Sequence, residues 1–276
     1  MIPPPPIHQV TGAPHYTAVY PKRQLFGHAT VSPTSAHEGF EDGTGGDFAH
    51  WVATRIKHNY CLGTFCIGSA DGRGFQGFPS TAWAHHLGIT SRDFARFGLP
   101  NINRKLNRES IGYEFDCLGP MEPAPDRKDH YWTVVPEYQA SKKVGAIRVH
   151  ERDIVYYAEP FRGYHYFERF TPEQIAYAEQ MFRYLCAFHG IPTDYNEDQW
   201  DLSERALRGT PGIWQHVSVR ADKSDCHPQP ELIAMLKRLH PKKTVITVPE
   251  IPLVYTPEGL EHLEVKRKLR AFMPSI

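Results

Sequence analysis

Residues 170–192, FTPEQIAYAEQMFRYLCAFHGIP, constrain the fold more than any other stretch, because they specify a helix with both ends marked. Thr171 stands where an N-cap belongs, Pro172 suits the first helical position, and Gln174 completes a capping box. Ile175, Ala178, Phe182, Leu185 and Phe188 recur on one face, and Gly190 with Pro192 ends the run. Such a stripe needs an apolar surface to cover it.

The segments around this helix supply strands. Residues 24–32, QLFGHATVS, read as a strand ending in polar residues. Residues 61–68, CLGTFCIG, read as another and lead into Asp71-Gly72, a strong hairpin signal. Residues 110–118, SIGYEFDCL, alternate well enough for a third. Phe48, Trp51, Val52 and Ile56 fit one face of a helix over 48–59, and residues 230–240 give a last amphipathic helix. Strands mixed with helices predict an α/β or α+β domain over 24–240. A proline-rich arm precedes it at 1–23, where Pro3 to Pro6 favour a short polyproline stretch. Residues 119–166, polar and proline-rich at first and strand-like later, are expected as a peripheral insertion. Residues 241–276 form an extension with strand-like TVITVPEIPLVY and a charged helical end.

With 31 basic and 31 acidic side chains the formal charge is zero, which gives no support to a nucleic-acid-binding or membrane-surface role. No run of about 18 apolar residues is present to span a bilayer. The start MIPPPPIHQV has neither the charged beginning nor the apolar core of a secretory signal. The expectation is synthesis in the cytoplasm, with any action outside following release or delivery by another system. Five cysteines without a CxxC pair argue against a disulfide framework, and Cys61, Cys66, Cys117 and Cys186 read as buried free thiols.

Chemistry concentrates in residues 214–226, WQHVSVRADKSDC. His216 and Cys226 offer an imidazole and a thiolate, both good Zn²⁺ ligands, across a loop long enough to bring them together. Asp222, Lys223 and Asp225 lie between them. A catalytic zinc usually takes three protein ligands and keeps one position open. His28, at the end of the first strand, is the best-placed third candidate, ahead of His37 in the glycine-rich loop after it. Taken alone, His28 reads more readily as a partly exposed strand-end histidine than as a ligand.

The order of these pieces resembles the zinc-dependent N-acetylmuramoyl-L-alanine amidases of the type that includes phage endolysins and peptidoglycan recognition proteins. LFGHATVS looks like that family's first strand, and TFCIGSADGRGFQGFPSTAWAHH is similar to its hairpin and cleft rim. NRESIGYEFD resembles the strand whose glutamate is catalytic in part of the family. FTPEQIAYAEQMFRYLCAFHGIP looks like the long helix, and WQHVSVRADKSDC like the segment with the second histidine and the last ligand. The resemblance covers roughly residues 24–240 apart from the insertion. It implies a single central mixed β-sheet flanked by helices.

The resemblance further implies Zn²⁺ held by His28, His216 and Cys226, with Glu114 and Lys223 catalytic and Trp83 and His85 on the substrate rim. The substrate implied is peptidoglycan or a muropeptide, cleaved at the amide between the lactyl group of N-acetylmuramic acid and L-alanine. The sequence departs from the family's pattern in two places. Gly27-His28 stands where two adjacent histidines are common, and Gly63 or Thr64 where some relatives place a tyrosine, which shifts the burden to Glu114. Asp225 competes with Cys226 as last ligand. Cys226 is preferred because a thiolate holds Zn²⁺ more strongly than one carboxylate oxygen. The competing readings are a peptidoglycan-binding module without catalysis and another zinc hydrolase, although no HExxH is present. An endolysin-like lytic role is expected ahead of recycling of cell-wall fragments.

Overall fold

The computed structural model describes residues 2–9, 13–31, 61, 63–135 and 148–240. The helix expected over 48–59, His37 and the 241–276 extension lie outside the described residues.

A six-stranded mixed sheet forms the centre, in the order β1-β4-β3-β5-β2-β11. Its strands are β1 (His8–Gln9), β2 (Gln24–Ala29), β3 (Cys66–Gly68), β4 (Gly74–Gln76), β5 (Ser110–Phe115) and β11 (Gly212–Gln215). β3, β5, β2 and β11 run parallel, β4 returns antiparallel to β3, and β1 adds a short parallel edge to β4. The turn between β3 and β4 falls at the expected Asp71-Gly72, where Gly72 takes φ 80°, a region glycine enters without cost.

Both faces of the parallel strands are covered, because successive side chains leave a strand on opposite sides. Leu25, Ile111, Tyr113, Phe115 and Ile213 point to a layer containing α3 (Pro172–His189) and α5 (Pro230–Leu239). Phe26 and Trp214 point to the other layer, built on α1 (Ser91–Ala95), α2 (Asn103–Arg108), α4 (Glu204–Leu207) and the 87–89 loop. The arrangement is α/β, with one mixed central sheet flanked by helices.

The α3 helix forms as its sequence dictates. Thr171 Oγ1 accepts from Gln174 N at 3.1 Å, Gln174 Oε1 accepts from Thr171 N at 3.3 Å, and Gly190 ends the helix at φ 69°. Gln174 also donates to Gly68 O and Asp116 O, at 2.8 and 2.9 Å, tying the helix start to the ends of β3 and β5. One stripe residue departs from expectation. Phe188 is 57% exposed and stacks on Tyr184 instead of entering the core.

Residues 119–166 hold more order than an irregular insertion. Together with the residues just beyond they form a second, antiparallel sheet in the order β8-β7-β6-β10-β9. Its strands are β6 (Pro120–Pro123), β7 (His130–Thr133), β8 (Val149–His150), β9 (Ile154–Phe161) and β10 (Tyr164–Glu168). A small cluster of Leu118, Met121, Val149 and Ile154 gives it a core of its own. The N-terminal residues pack onto the domain: Tyr177 donates to Pro6 O at 3.0 Å, and the buried Lys22 donates to Arg108 O at 2.8 Å. All five cysteines are free, and four of them are buried. Among the described residues no helix is long and apolar enough to cross a membrane.

Phe182 sits at the centre of the helix–sheet layer, fully buried with its ring edge-on to Tyr113 at 5.2 Å. Phe182→Ala is expected to cost about 3–5 kcal/mol in urea unfolding, with the unfolding slope unchanged.

Candidate metal centre

The cleft opens at the C-terminal ends of the parallel strands, on the face away from α3. His28 is the fifth residue of β2 and pairs in register with Glu114 of β5, so both side chains leave the sheet on that face. His216 follows the last residue of β11, beside β2. The loop after it returns Asp225 to the same point. His216 Nδ1 lies 2.8 Å from Asp225 Oδ2, His28 Nδ1 lies 3.7 Å from that oxygen, and the two rings are 4.3 Å apart. His28, His216 and Asp225 form a buried group whose ligand atoms lie within 4.8 Å of one another.

The outward nitrogens are also engaged. His216 Nε2 meets Leu87 O at 2.9 Å, and His28 Nε2 meets His86 Nδ1 at 3.0 Å. His86 Nε2 in turn meets Ser110 Oγ at 2.8 Å. A carbonyl can only accept, so His216 Nε2 carries a proton and donates. Its Nδ1 then confronts a carboxylate oxygen, and two acceptors at that distance repel unless a second proton or a cation joins them. Such an arrangement, with inner nitrogens converging and outer nitrogens fixed by hydrogen bonds, is what a divalent cation requires of its ligands.

Electrostatics reinforce the cluster. Burial lowers His28 to about 4, helped by the nearby charge of His216 and opposed by Asp225. Burial, together with His28 and His216, holds His86 well below the usual histidine range. Burial works against the charge of Asp225, yet His216 and His28 keep its carboxyl far below the usual carboxylate range.

Asp225, not Cys226, reaches the two histidines. The preference for the thiol is corrected by the backbone: the two are neighbours, and with Asp225 turned to the cleft Cys226 enters the main hydrophobic cluster. Burial, with Asp225 and Glu114 nearby, pushes its thiol well above the usual range, so a thiolate there is disfavoured. Glu114, His85 and Lys223 line one cleft of about 250 Å³ together with His86, His216 and Arg220. Trp83 is 3% exposed because Tyr16 stacks on it at 4.1 Å, so Tyr16 presents the aromatic surface expected of Trp83. His85 stands edge-on to both rings, at 5.2 Å from Trp83 and 5.7 Å from Tyr16.

His86, Arg220 and Tyr16 escaped the sequence reading. For His86 a signal existed in Gly112, a glycine inside a strand. A Cβ there would lie 2.8 Å from His86 Nδ1 and 2.6 Å from Thr64 Cγ2, so glycine makes room for the ring that braces His28.

No protein-family model and no curated protein matches the sequence. Among solved structures, the chain is similar to the endolysin N-acetylmuramoyl-L-alanine amidase LysCS from Clostridium intestinale URNW. The identity is 14% with a TM-score of 0.41, covering 86% of this chain and 98% of that one. It is similar to the Staphylococcus aureus hydrolase AmiA in complex with its ligand at 10% identity and TM-score 0.42, covering 86% and 83%. It is also similar to AmpD, as a selenomethionine derivative, at 14% identity and TM-score 0.41, covering 85% and 94%.

The buried histidines set a pH dependence for the metal-free protein. Burial lowers His28 to about 4 and His227 to about 3, from 6.5 when exposed. Below pH 6.5 the unfolded chain binds protons that the folded chain refuses, so unfolding takes up protons. Stability is therefore expected to fall by a few kcal/mol, on the order of the linkage involved, as pH drops from about 6.5 to about 4. Urea midpoints measured across that range check it, and a flat profile would contradict neutral buried rings.

Proposed function

We propose that the chain is a zinc-dependent hydrolase that cleaves the amide between the lactyl group of N-acetylmuramic acid and L-alanine in peptidoglycan. The observation that carries this reading is the convergence of His28 Nδ1, His216 Nδ1 and Asp225 Oδ2 at the floor of a cleft walled by Glu114 and Lys223. The donor set fits zinc: the imidazoles of His28 and His216 and the carboxylate of Asp225 would hold it and leave room for substrate or water. The choice of amide follows the resemblance of the five sequence segments to the amidase family.

Zinc in that set supplies a nucleophile at neutral pH and Lewis-acid polarisation of the scissile carbonyl. His86 and Leu87 O hold the two imidazoles in the tautomer that turns Nδ1 inward. Glu114 accepts the proton of the attacking water and delivers it to the leaving nitrogen of L-alanine. Lys223 places a positive charge where the carbonyl oxygen becomes negative. His85 lines the cleft and Tyr16 stands edge-on to His85, so these two would border the sugar chain. We assign the activity to a lytic, endolysin-like role, since the second five-stranded sheet exceeds what a minimal recycling enzyme needs.

The purified wild type is expected to hold about one zinc per chain. It should also release L-alanine N-termini from peptidoglycan. Asp225→Ala is expected to lose the metal and Cys226→Ala to retain it, measured by elemental analysis; the reverse outcome would restore the thiol as ligand. Glu114→Gln should keep the metal and lose turnover by about 10²–10⁴-fold. A wild type that binds zinc without cleaving would instead be a binding module.

A further inference from the structure

The segment from His216 to His227 carries two of the three converging side chains as well as Lys223, and apart from a turn at its start it contains no helix or strand. Much of what holds it comes from outside the central sheet. Near its start, Arg162 donates from Nη2 to Val217 O and from Nη1 to Ala221 O, both at 3.2 Å. The same guanidinium pairs with Asp201 at 2.9 Å. At the far end, His227 is buried between Phe167 and Phe170, with ring centroids 4.7 and 4.5 Å away. Its Nε2 meets Glu168 O at 3.1 Å and its Nδ1 meets Tyr157 Oη at 2.8 Å. Because the carbonyl must accept, Nε2 bears the proton and Tyr157 donates to Nδ1. Tyr157, Arg162, Phe167 and Glu168 all belong to the β9–β10 hairpin.

The hairpin's turn supplies an independent observation. Arg162 and Gly163 take φ 51° and 87°, the two-residue turn that suits the twist of paired strands. Asparagine, aspartate or glycine fills the first position comfortably, whereas an arginine there is strained. Arginine adds nothing to the turn itself. Its side chain instead satisfies two backbone carbonyls of the site segment and one carboxylate.

We propose that the β9–β10 hairpin clamps the ligand-bearing segment, with Arg162 and Tyr157 as positioning residues that fix His216 and Asp225 relative to His28. The proposal rests on the metal-site reading above and adds the element that sets the site's geometry. Neither residue lines the cleft. They act through the carbonyls of Val217 and Ala221 and through the ring of His227, so the clamp grips the chain on both sides of Asp225. On the opposite side the segment keeps its ties to Asp93, which accepts from Ala221 N at 3.3 Å, and to Gly88 O through Arg220. Releasing the clamp therefore loosens the segment without unfolding the domain.

Arg162→Asn tests this, because it relieves the turn while removing the bonds to the segment. The expected result is a melting temperature at or above that of the wild type, with zinc affinity about 10-fold weaker in chelator competition. Backbone amides of residues 217–227 should exchange faster with deuterium while those of β2 and β5 keep their protection. Tyr157→Phe should shift both readouts in the same direction. Unchanged exchange over 217–227 in both variants would overturn the clamp whether or not zinc binds. Faster exchange with unchanged zinc affinity would overturn the positioning role. A wild type that takes up no zinc would defeat the metal-site reading instead, and the exchange measurement would still decide the clamp.

Discussion

The parallel strands at the centre are wedged between two apolar layers, and the placement of the functional side chains follows from that. Leu25 and Phe26 are neighbours in β2 that point to opposite layers, and both are fully removed from water. Each such burial contributes roughly 1.5–3 kcal/mol. A slip of one residue would send whole rows of side chains into the wrong layer and carry His28 to the face covered by α3 and α5. The pairing of His28 with Glu114 is thus held by packing several residues away from any chemistry.

At that point the fold carries an electrostatic cost. Asp225 is a carboxylate almost out of contact with water, and removing an ion from water costs several kcal/mol unless opposite charge meets it. His216 meets it with a nitrogen whose ring is already committed as a donor on the other side. His28 stands 3.7 Å from the same oxygen, and the two histidines together keep the Asp225 carboxyl far below the usual carboxylate range despite its burial.

Local signals made much of this legible in advance. The ends of α3 could be read because Thr171, Gln174 and Gly190 act on backbone groups within a few residues of themselves. His28, Glu114 and His216 could be placed because strand alternation and motif order fix which face they take. The choice between Asp225 and Cys226 was not legible, since ligand chemistry favours the thiol and only the course of the loop decides which neighbour faces inward. Tyr16 was hidden in a stretch without periodicity, and its role depends on a contact with Trp83 far along the chain. The second sheet was only half visible, because strands as short as Val149–His150 gain their identity from partners and not from their own residues.

The converging side chains come from two widely separated parts of the chain, His28 from one and His216 with Asp225 from the other: Asp225 accepts from Ala29 N across 196 residues of sequence. β2 lies in the middle of the sheet, between β5 on one side and β11 on the other. No contiguous piece of the polypeptide shorter than nearly the whole domain contains the cluster. The cluster is therefore complete only once β11 and the loop after it have joined β2, and a chain cut before Asp225 lacks it.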